Sequence, residues 1–187
     1  MRCLLCQNLS FSHICKNCQK EFLKPQITKR EIFRDFYVVS FYKYSEIEHL
    51  LKTKHTFIGS FIYKILAKNS MKIFLKEFYQ KAYLLPIDTR VKDYYSHTAI
   101  LAKYSKNKNH KPLYNSLISQ NSITYSGKSY EYRLKNPRDF IYFGPGGIDA
   151  ILIDDIVTTG LTIKEAYFEV KQKANVLFAM TLADARE

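Results

Sequence analysis

The chain has 187 residues, 47% of them apolar, which suits one ordinary domain with a sizeable core and a small appendage. No apolar run approaches the roughly 18 residues of a membrane span, and the N-terminus lacks the apolar stretch of a signal peptide, so a cytoplasmic location is expected. With 29 Lys and Arg against 17 Asp and Glu, the formal charge of +12 favours polyanions such as nucleic acid, phosphorylated metabolites or an anionic membrane face, although a lysine-rich composition gives the same balance without them.

All four cysteines fall at the start, as Cys3, Cys6, Cys15 and Cys18, in the pattern C-x2-C-x8-C-x2-C. A secreted disulfide scaffold would distribute its cysteines along the chain. Each C-x2-C pair is a tight turn that aims two sulfurs at one point, and two such turns complete a tetrahedral four-thiolate zinc site. With no open coordination position the metal is structural, and its binding supplies the folding energy of so small a module. His13 is the alternative ligand within the loop, and the ligands leave open whether the finger binds nucleic acid or protein. Residues 1–24 are therefore expected to form a zinc finger, and residues 25–35, with Pro25 and several charges, a linker.

From residue 36 to the end the pattern alternates. "FYVVSFYKYS" (36–45) is β-branched and aromatic, a strand signature. "EIEHLLKTKHTFIGSFIYKILAK" follows with helical spacing of Ile47, Leu50 and Leu51, then Phe61, Ile62, Ile65 and Leu66, broken near Gly59. "AYLLPID" (82–88) reads as a short buried strand, and "SHTAILAKYSK" as a helix capped by Ser96. Residues 107–138 are polar and give no clear pattern. "DFIYFG" reads as a strand closed by "GPGG". Then come the strand "DAILID", the turn "DIVTTG", the helix "LTIKEAYFEVKQK" and a last strand "ANVLFAMTLA". Such alternation predicts an α/β domain over 36–187, a mostly parallel sheet flanked by helices. The unbroken apolar run 150–153 marks a central strand covered on both faces.

Ligands of open α/β sheets bind beyond the carboxyl ends of the strands, where Asp154 and Asp155 stand. Two adjacent carboxylates repel, and they call for cationic or hydroxylic partners. The amides opening the next helix, with the hydroxyls of Thr158, Thr159 and Thr162, make an anion-binding cup, and Gly160 lets the chain turn. Carboxylates beside a phosphate cup suit a sugar phosphate. A plain strand–turn–helix with a threonine cap would leave the doubled aspartate unexplained.

"ILIDDIVTTGLT" resembles the phosphoribosyl-pyrophosphate signature of type I phosphoribosyltransferases. The resemblance implies that Asp154 and Asp155 hold the ribose hydroxyls and that Val157, Thr158, Thr159, Gly160, Leu161 and Thr162 wrap the 5′-phosphate. A four-cysteine finger before such a domain is similar to the ComF (ComFC) competence proteins, which take part in DNA uptake during natural transformation. "LLKTKHTFIG" and "LLPIDTRVKDYYSHTAILAKYSK" resemble further segments of that family, although many of its members carry Arg-Gly-Phe-Asn-Gln where this chain has "KDYYSHT".

The family likeness implies a type I phosphoribosyltransferase-like fold with structural zinc, and magnesium bound together with phosphoribosyl pyrophosphate. It also implies single-stranded DNA and competence-machinery proteins such as a helicase as partners, at the cytoplasmic face of the inner membrane. By analogy, Lys52, Lys54, Arg90 and Lys92 are the candidate pyrophosphate or DNA contacts. Tyr94, Tyr95 and His97 either stack a base or simply pack. The alternative function is an active transferase of nucleotide salvage or synthesis, its acceptor unspecified.

Overall fold

The structure, a computed structural model, describes residues 1–87, 95–121 and 129–186, without the side chain of residue 130. It is an α/β fold: a mostly parallel sheet flanked by helices, with a cluster of four cysteines at the N-terminus. The elements in chain order are α1 (Lys16–Phe22), β1 (Thr28–Phe33), β2 (Phe36–Lys43), α2 (Tyr44–Leu51), a 3-10 turn (Lys52–His55), α3 (Gly59–Asn69), α4 (Met71–Glu77), β3 (Ala82–Pro86), α5 (His97–Ser105), β4 (His110–Pro112), β5 (Leu117–Ser119), α6 (Tyr130–Lys135), β6 (Phe140–Tyr142), β7 (Asp149–Ile153), β8 (Ile156–Val157), α7 (Leu161–Val170) and β9 (Asn175–Asp184).

The main sheet runs β1-β2-β9-β7-β3-β4, with β8 added beside the end of β9. Every neighbouring pair is parallel except β1 with β2. β7 is central, pairing Ile153 with Pro86 of β3 on one side and with Met180 of β9 on the other. Its side chains alternate between two cores, as the pleat of a strand requires. Ile151 and Ile153 join Leu84, Phe41, Met180 and the residues of α2 to α5 on one face. Leu152 joins Leu85, Val38, Ala179 and the α7 residues Ile163, Ala166 and Val170 on the other. A strand with helices over both faces has no solvated side, which is why residues 150–153 are apolar in succession.

The connections reverse direction between β3 and β7. From β3 the chain passes through α5 to β4, outward on one side; from β7 it passes through α7 to β9, outward on the other. The carboxyl ends of β3 and β7 therefore flank the topological switch point, where open α/β sheets bind their ligands. Asp154 and Asp155 follow β7 directly at this place.

Several boundaries differ from the sequence pattern. The expected linker 25–35 contains β1, an edge strand paired antiparallel to β2. "DFIYFG" does contribute a strand, β6, but it pairs with β5 in a separate two-stranded ribbon. The unassigned segment 107–138 supplies β4, β5 and α6. Ser96 caps α5 as expected, its hydroxyl accepting from the Ala99 amide at 3.2 Å. The break near Gly59 is also present: α2 ends, the 3-10 turn follows, and α3 opens on Gly59. A Cβ on that glycine would collide with the Thr53 carbonyl and the Tyr95 hydroxyl.

The finger does not stand apart from this core. Cys3, Ile14, Cys18 and Leu23 are buried in the same apolar cluster as Ile62, Leu66 and Met71. The His13 ring stacks on Phe61 at 4.6 Å, and Asn69 Nδ2 donates to Gln19 Oε1 at 3.0 Å. No helix among the described residues is long and apolar enough to cross a membrane.

Candidate functional site

The four cysteines come together as their spacing requires. Their sulfurs all lie within 4.8 Å of one another, and Cys6 Sγ is 3.8 Å from Cys15 Sγ. Thiolates arranged tetrahedrally at the usual zinc–sulfur bond length are about 3.8 Å apart, so the four can hold a structural zinc. Backbone amides orient the sulfurs. The Cys15 amide donates to Cys3 Sγ at 3.2 Å, and the Cys18 amide donates to Cys15 Sγ at 3.4 Å, which also caps α1. His13 is placed by its stack on Phe61 and is not among the grouped ligand atoms.

At the switch point, Asp155 is the buried member of the acidic pair and Asp154 the half-buried one. The contacts of Asp155 fall on Oδ2. Lys54 Nζ lies 3.1 Å away, the Tyr63 hydroxyl donates at 3.2 Å, and His97 Nε2 stands at 3.6 Å. Three separate elements supply these groups: the 3-10 turn, α3 and the first residue of α5. Burial works against the charge on Asp155, but His97, Lys54 and the hydrogen bonds from Lys54 and Tyr63 outweigh it. They hold the carboxyl well below the usual carboxylate range. Reciprocally, the charge of Asp155 raises the ammonium of Lys54, although burial opposes it.

Asp154 has the opposite environment. Its Oδ1 accepts the Asp155 amide at 2.8 Å, and its own amide donates to the Met180 carbonyl at 3.0 Å. Burial first, and then the charge of Asp155, push its carboxyl up to about 8, against a smaller opposing pull from Arg138 and Lys54. Two carboxylates side by side have been driven apart in acidity, one fixed as an anion and the other inclined to keep its proton. Oxygens of both, with a ring nitrogen of His97, lie within 4.8 Å of one another.

The turn that follows is braced from two sides. Arg30 of β1 donates from Nη2 to the Thr158 carbonyl at 2.9 Å and from Nη1 to Asp184 Oδ1 at 2.8 Å. Arg133 of α6 donates from Nη1 to the Thr158 hydroxyl at 2.7 Å. Gly160 precedes α7 with φ of +82°, and a Cβ there would fall 2.6 Å from Ile32 Cγ2. The glycine thus lets the turn close against the edge strand as well as adopt left-handed backbone. The first amides of α7 point away from any carbonyl of their own helix, as at every helix start, so the positive end of the helix and two guanidinium groups share one small region. Replacing Gly160 by Ala should cost at least about 1 kcal/mol from the left-handed backbone alone. It should also weaken any ligand held by the turn; urea unfolding and ligand titration of the variant check both effects.

The remaining candidates separate. Lys54 reaches the acidic pair, whereas Lys52 forms an exposed ion pair with Glu48 at 2.9 Å, one turn back on α2. Arg90, Lys92 and Tyr94 lie outside the described residues. Tyr63, Arg30, Arg133 and Arg138 carry no site motif in the sequence, and His97 stands beside Asp155 and edge-on to the Tyr63 ring. Tyr63 has the spacing of a core residue, and the arginines belong to stretches without a motif, so sequence offered no signal for them.

Comparison of the sequence with protein-family models and with curated proteins finds no match.

Proposed function

We propose that the chain binds phosphoribosyl pyrophosphate at the switch point and acts as a competence-type factor in DNA uptake, handling single-stranded DNA in the cytoplasm. The observation that carries the ligand assignment is the joining of a half-buried carboxylate, Asp154, to a glycine- and threonine-bearing turn that opens α7, beyond the carboxyl end of the central strand. In this reading Asp154 accepts from a ribose hydroxyl, with Asp155 beside it. The amides and hydroxyls of residues 157–162 take the 5′-phosphate, with Arg30 and Arg133 fixing the shape of the turn. Lys54 and His97 stand next to the carboxylates, and the Lys54 ammonium offers positive charge to the pyrophosphate. Magnesium would enter with the pyrophosphate and neutralise part of its charge; oxygen ligands of the acidic pair suit such a cation. The formal charge of +12 and exposed rings such as Tyr79 and Phe57 favour single strands, whose backbone follows positive charge while bases stack on aromatics.

Phosphoribosyl pyrophosphate with magnesium should raise the melting temperature by several degrees, because a ligand that binds only the native state stabilises it. Asp154→Asn keeps the shape of the site and should remove most of the shift. An unchanged shift in that variant would overturn the assignment of Asp154.

A second reading, an active phosphoribosyltransferase, is favoured by the basic groups beside the carboxylates. Displacement at ribose C1 passes through a cationic sugar, as in other glycosidic cleavages, and expels pyrophosphate. The protein would contribute positioning and charge neutralisation of the leaving group by Lys54. Pyrophosphate release in the presence of the common nucleobases separates the two readings.

A further inference from the structure

At the rim of the sheet opposite the acidic pair lies an open groove of about 360 Å³ that the ribose-phosphate reading leaves unused. It runs past the amino ends of β3 and β7 and the turn into β4. Its cations are Lys81, Lys108 and Lys111, all exposed. Among the described residues none of the three is paired with a carboxylate. The one carboxylate lining the groove, Asp149, is already satisfied: Asn175 Nδ2 donates to Oδ1 and Gln80 Nε2 to Oδ2, both at 2.8 Å. Three positive charges thus face a concave surface whose acid is turned to its own amides.

The groove also has an aromatic ring: Tyr83 lines it, half-buried. Exposed lysines fanned along an open channel neutralise a chain of phosphates, whereas a small phosphometabolite is bound by an enclosed cup of amides and hydroxyls such as the one before α7. Rings at the edge of such a channel add stacking for bases that are free of a partner strand.

We infer that this amino-edge groove is the track for the phosphate backbone of single-stranded nucleic acid, with Tyr83 as a stacking surface. The inference rests on the single-strand-handling part of the proposed function and assigns it a place away from the sugar-phosphate site. A strand on this groove leaves the acidic pair open, so the two ligands bind together.

The test uses a fluorescently labelled oligothymidylate titrated with the intact protein over a range of salt. The variant K81E/K108E/K111E should bind at least about tenfold more weakly at low salt. Its plot of log affinity against log salt should be shallower by about 2, since each neutralised phosphate of a single strand contributes about 0.7. The milder K81Q/K108Q/K111Q should show the same change in slope, and both should keep the thermal shift with phosphoribosyl pyrophosphate, which reports an intact fold. The matched reversal K16E/K20E/K24E, on exposed lysines of the finger helix and the residues after it, should lose less. Wild-type affinity and slope in the groove variant would overturn the groove while leaving single-strand binding intact. A larger loss in the finger variant would move the track to the finger. A wild-type protein without affinity for the oligonucleotide would overturn the single-strand reading and the groove together, and a preference for duplex would overturn the stacking role of Tyr83.

Discussion

Removing zinc is expected to lower the melting temperature of the whole chain by about 6–24 °C, well beyond the loss of a peripheral module. The finger has little core of its own, and a metal held by its four thiolates, a bond set worth about 10–16 kcal/mol in zinc-finger peptides, would supply the energy that folds it. Yet Ile14 and Leu23 are buried in the main apolar cluster, against the same core as Ile62, Leu66 and Met71. When the finger unfolds, those side chains leave that core and uncover their partners. Burying a large aliphatic side chain stabilises by about 1.5–3 kcal/mol. Two of them give about 3–6 kcal/mol, and in a chain of this length each kcal/mol moves the melting temperature by about 2–4 °C. The measurement is a calorimetric scan with and without a strong chelator, beside Cys6→Ser and His13→Ala. Cys6→Ser should reproduce the chelated protein, and His13→Ala should retain one zinc per chain. A chelated protein whose main transition is unmoved would show the finger to be energetically separate, and zinc lost from His13→Ala would reinstate the histidine as a ligand.

The second large effect concerns the two adjacent aspartates, which should respond in opposite senses to the same substitution. Asp155→Asn removes the anion that Lys54, Tyr63 and His97 converge on and leaves the partly buried ammonium without its counter-charge. Breaking one side of a buried pair costs about 3–5 kcal/mol; with Lys54 retaining some solvent, about 3 kcal/mol is expected. Because the folded-state pKa of Asp155 is depressed, its contribution is present above the ordinary carboxylate range and fades as pH falls below that range toward the folded-state value.

Asp154→Asn relieves a charge that burial and Asp155 both disfavour. The proton of Asp154 is held more tightly in the folded chain, up to about 8, so wild-type stability from this group is complete at acid pH and is lost as pH rises toward 8. The Asn variant does not titrate there. Its advantage over wild type should therefore widen between pH 6 and pH 8, by about 1–2 kcal/mol, and level off above. Urea midpoints at three pH values read this directly. A gap that narrows with rising pH would reverse the assignment of the proton to Asp154.

Much of the fold is visible in the sequence because the burial it encodes is simple. Residues 150–153 lie under helices on both faces and show it by losing polar alternation. Four thiols at C-x2-C spacing have one economical geometry, and Ser96 announces a helix because its hydroxyl completes the first turn. β1 is hidden for the opposite reason. It is an edge strand that alternates between exposed and half-buried residues, held by backbone pairing with β2 rather than by an apolar face. β6 is legible as a strand, but three residues do not say which partner they pair with.

The site divides in the same way. The acidic pair and the threonine turn are contiguous and can be read from the chain itself. Tyr63, 92 residues before Asp155, joins it only through the packing of α3. Lys52 and Lys54 are two positions apart in a lysine-rich chain. One meets Glu48 on the preceding helical turn and the other meets Asp155, a difference that only the 3-10 turn creates.

The route of Arg30 bears on how this protein can be cut and rebuilt. β1 occupies the stretch an engineer would treat as a dispensable spacer between finger and α/β domain. A truncation starting at residue 36 would discard the guanidinium that grips the Thr158 carbonyl and the isoleucine seated against Gly160. Such a fragment would carry the whole signature from Asp154 to Thr162 and still lack the scaffold that shapes it. The smallest portable unit of this turn begins at residue 28, on the finger side of the supposed boundary.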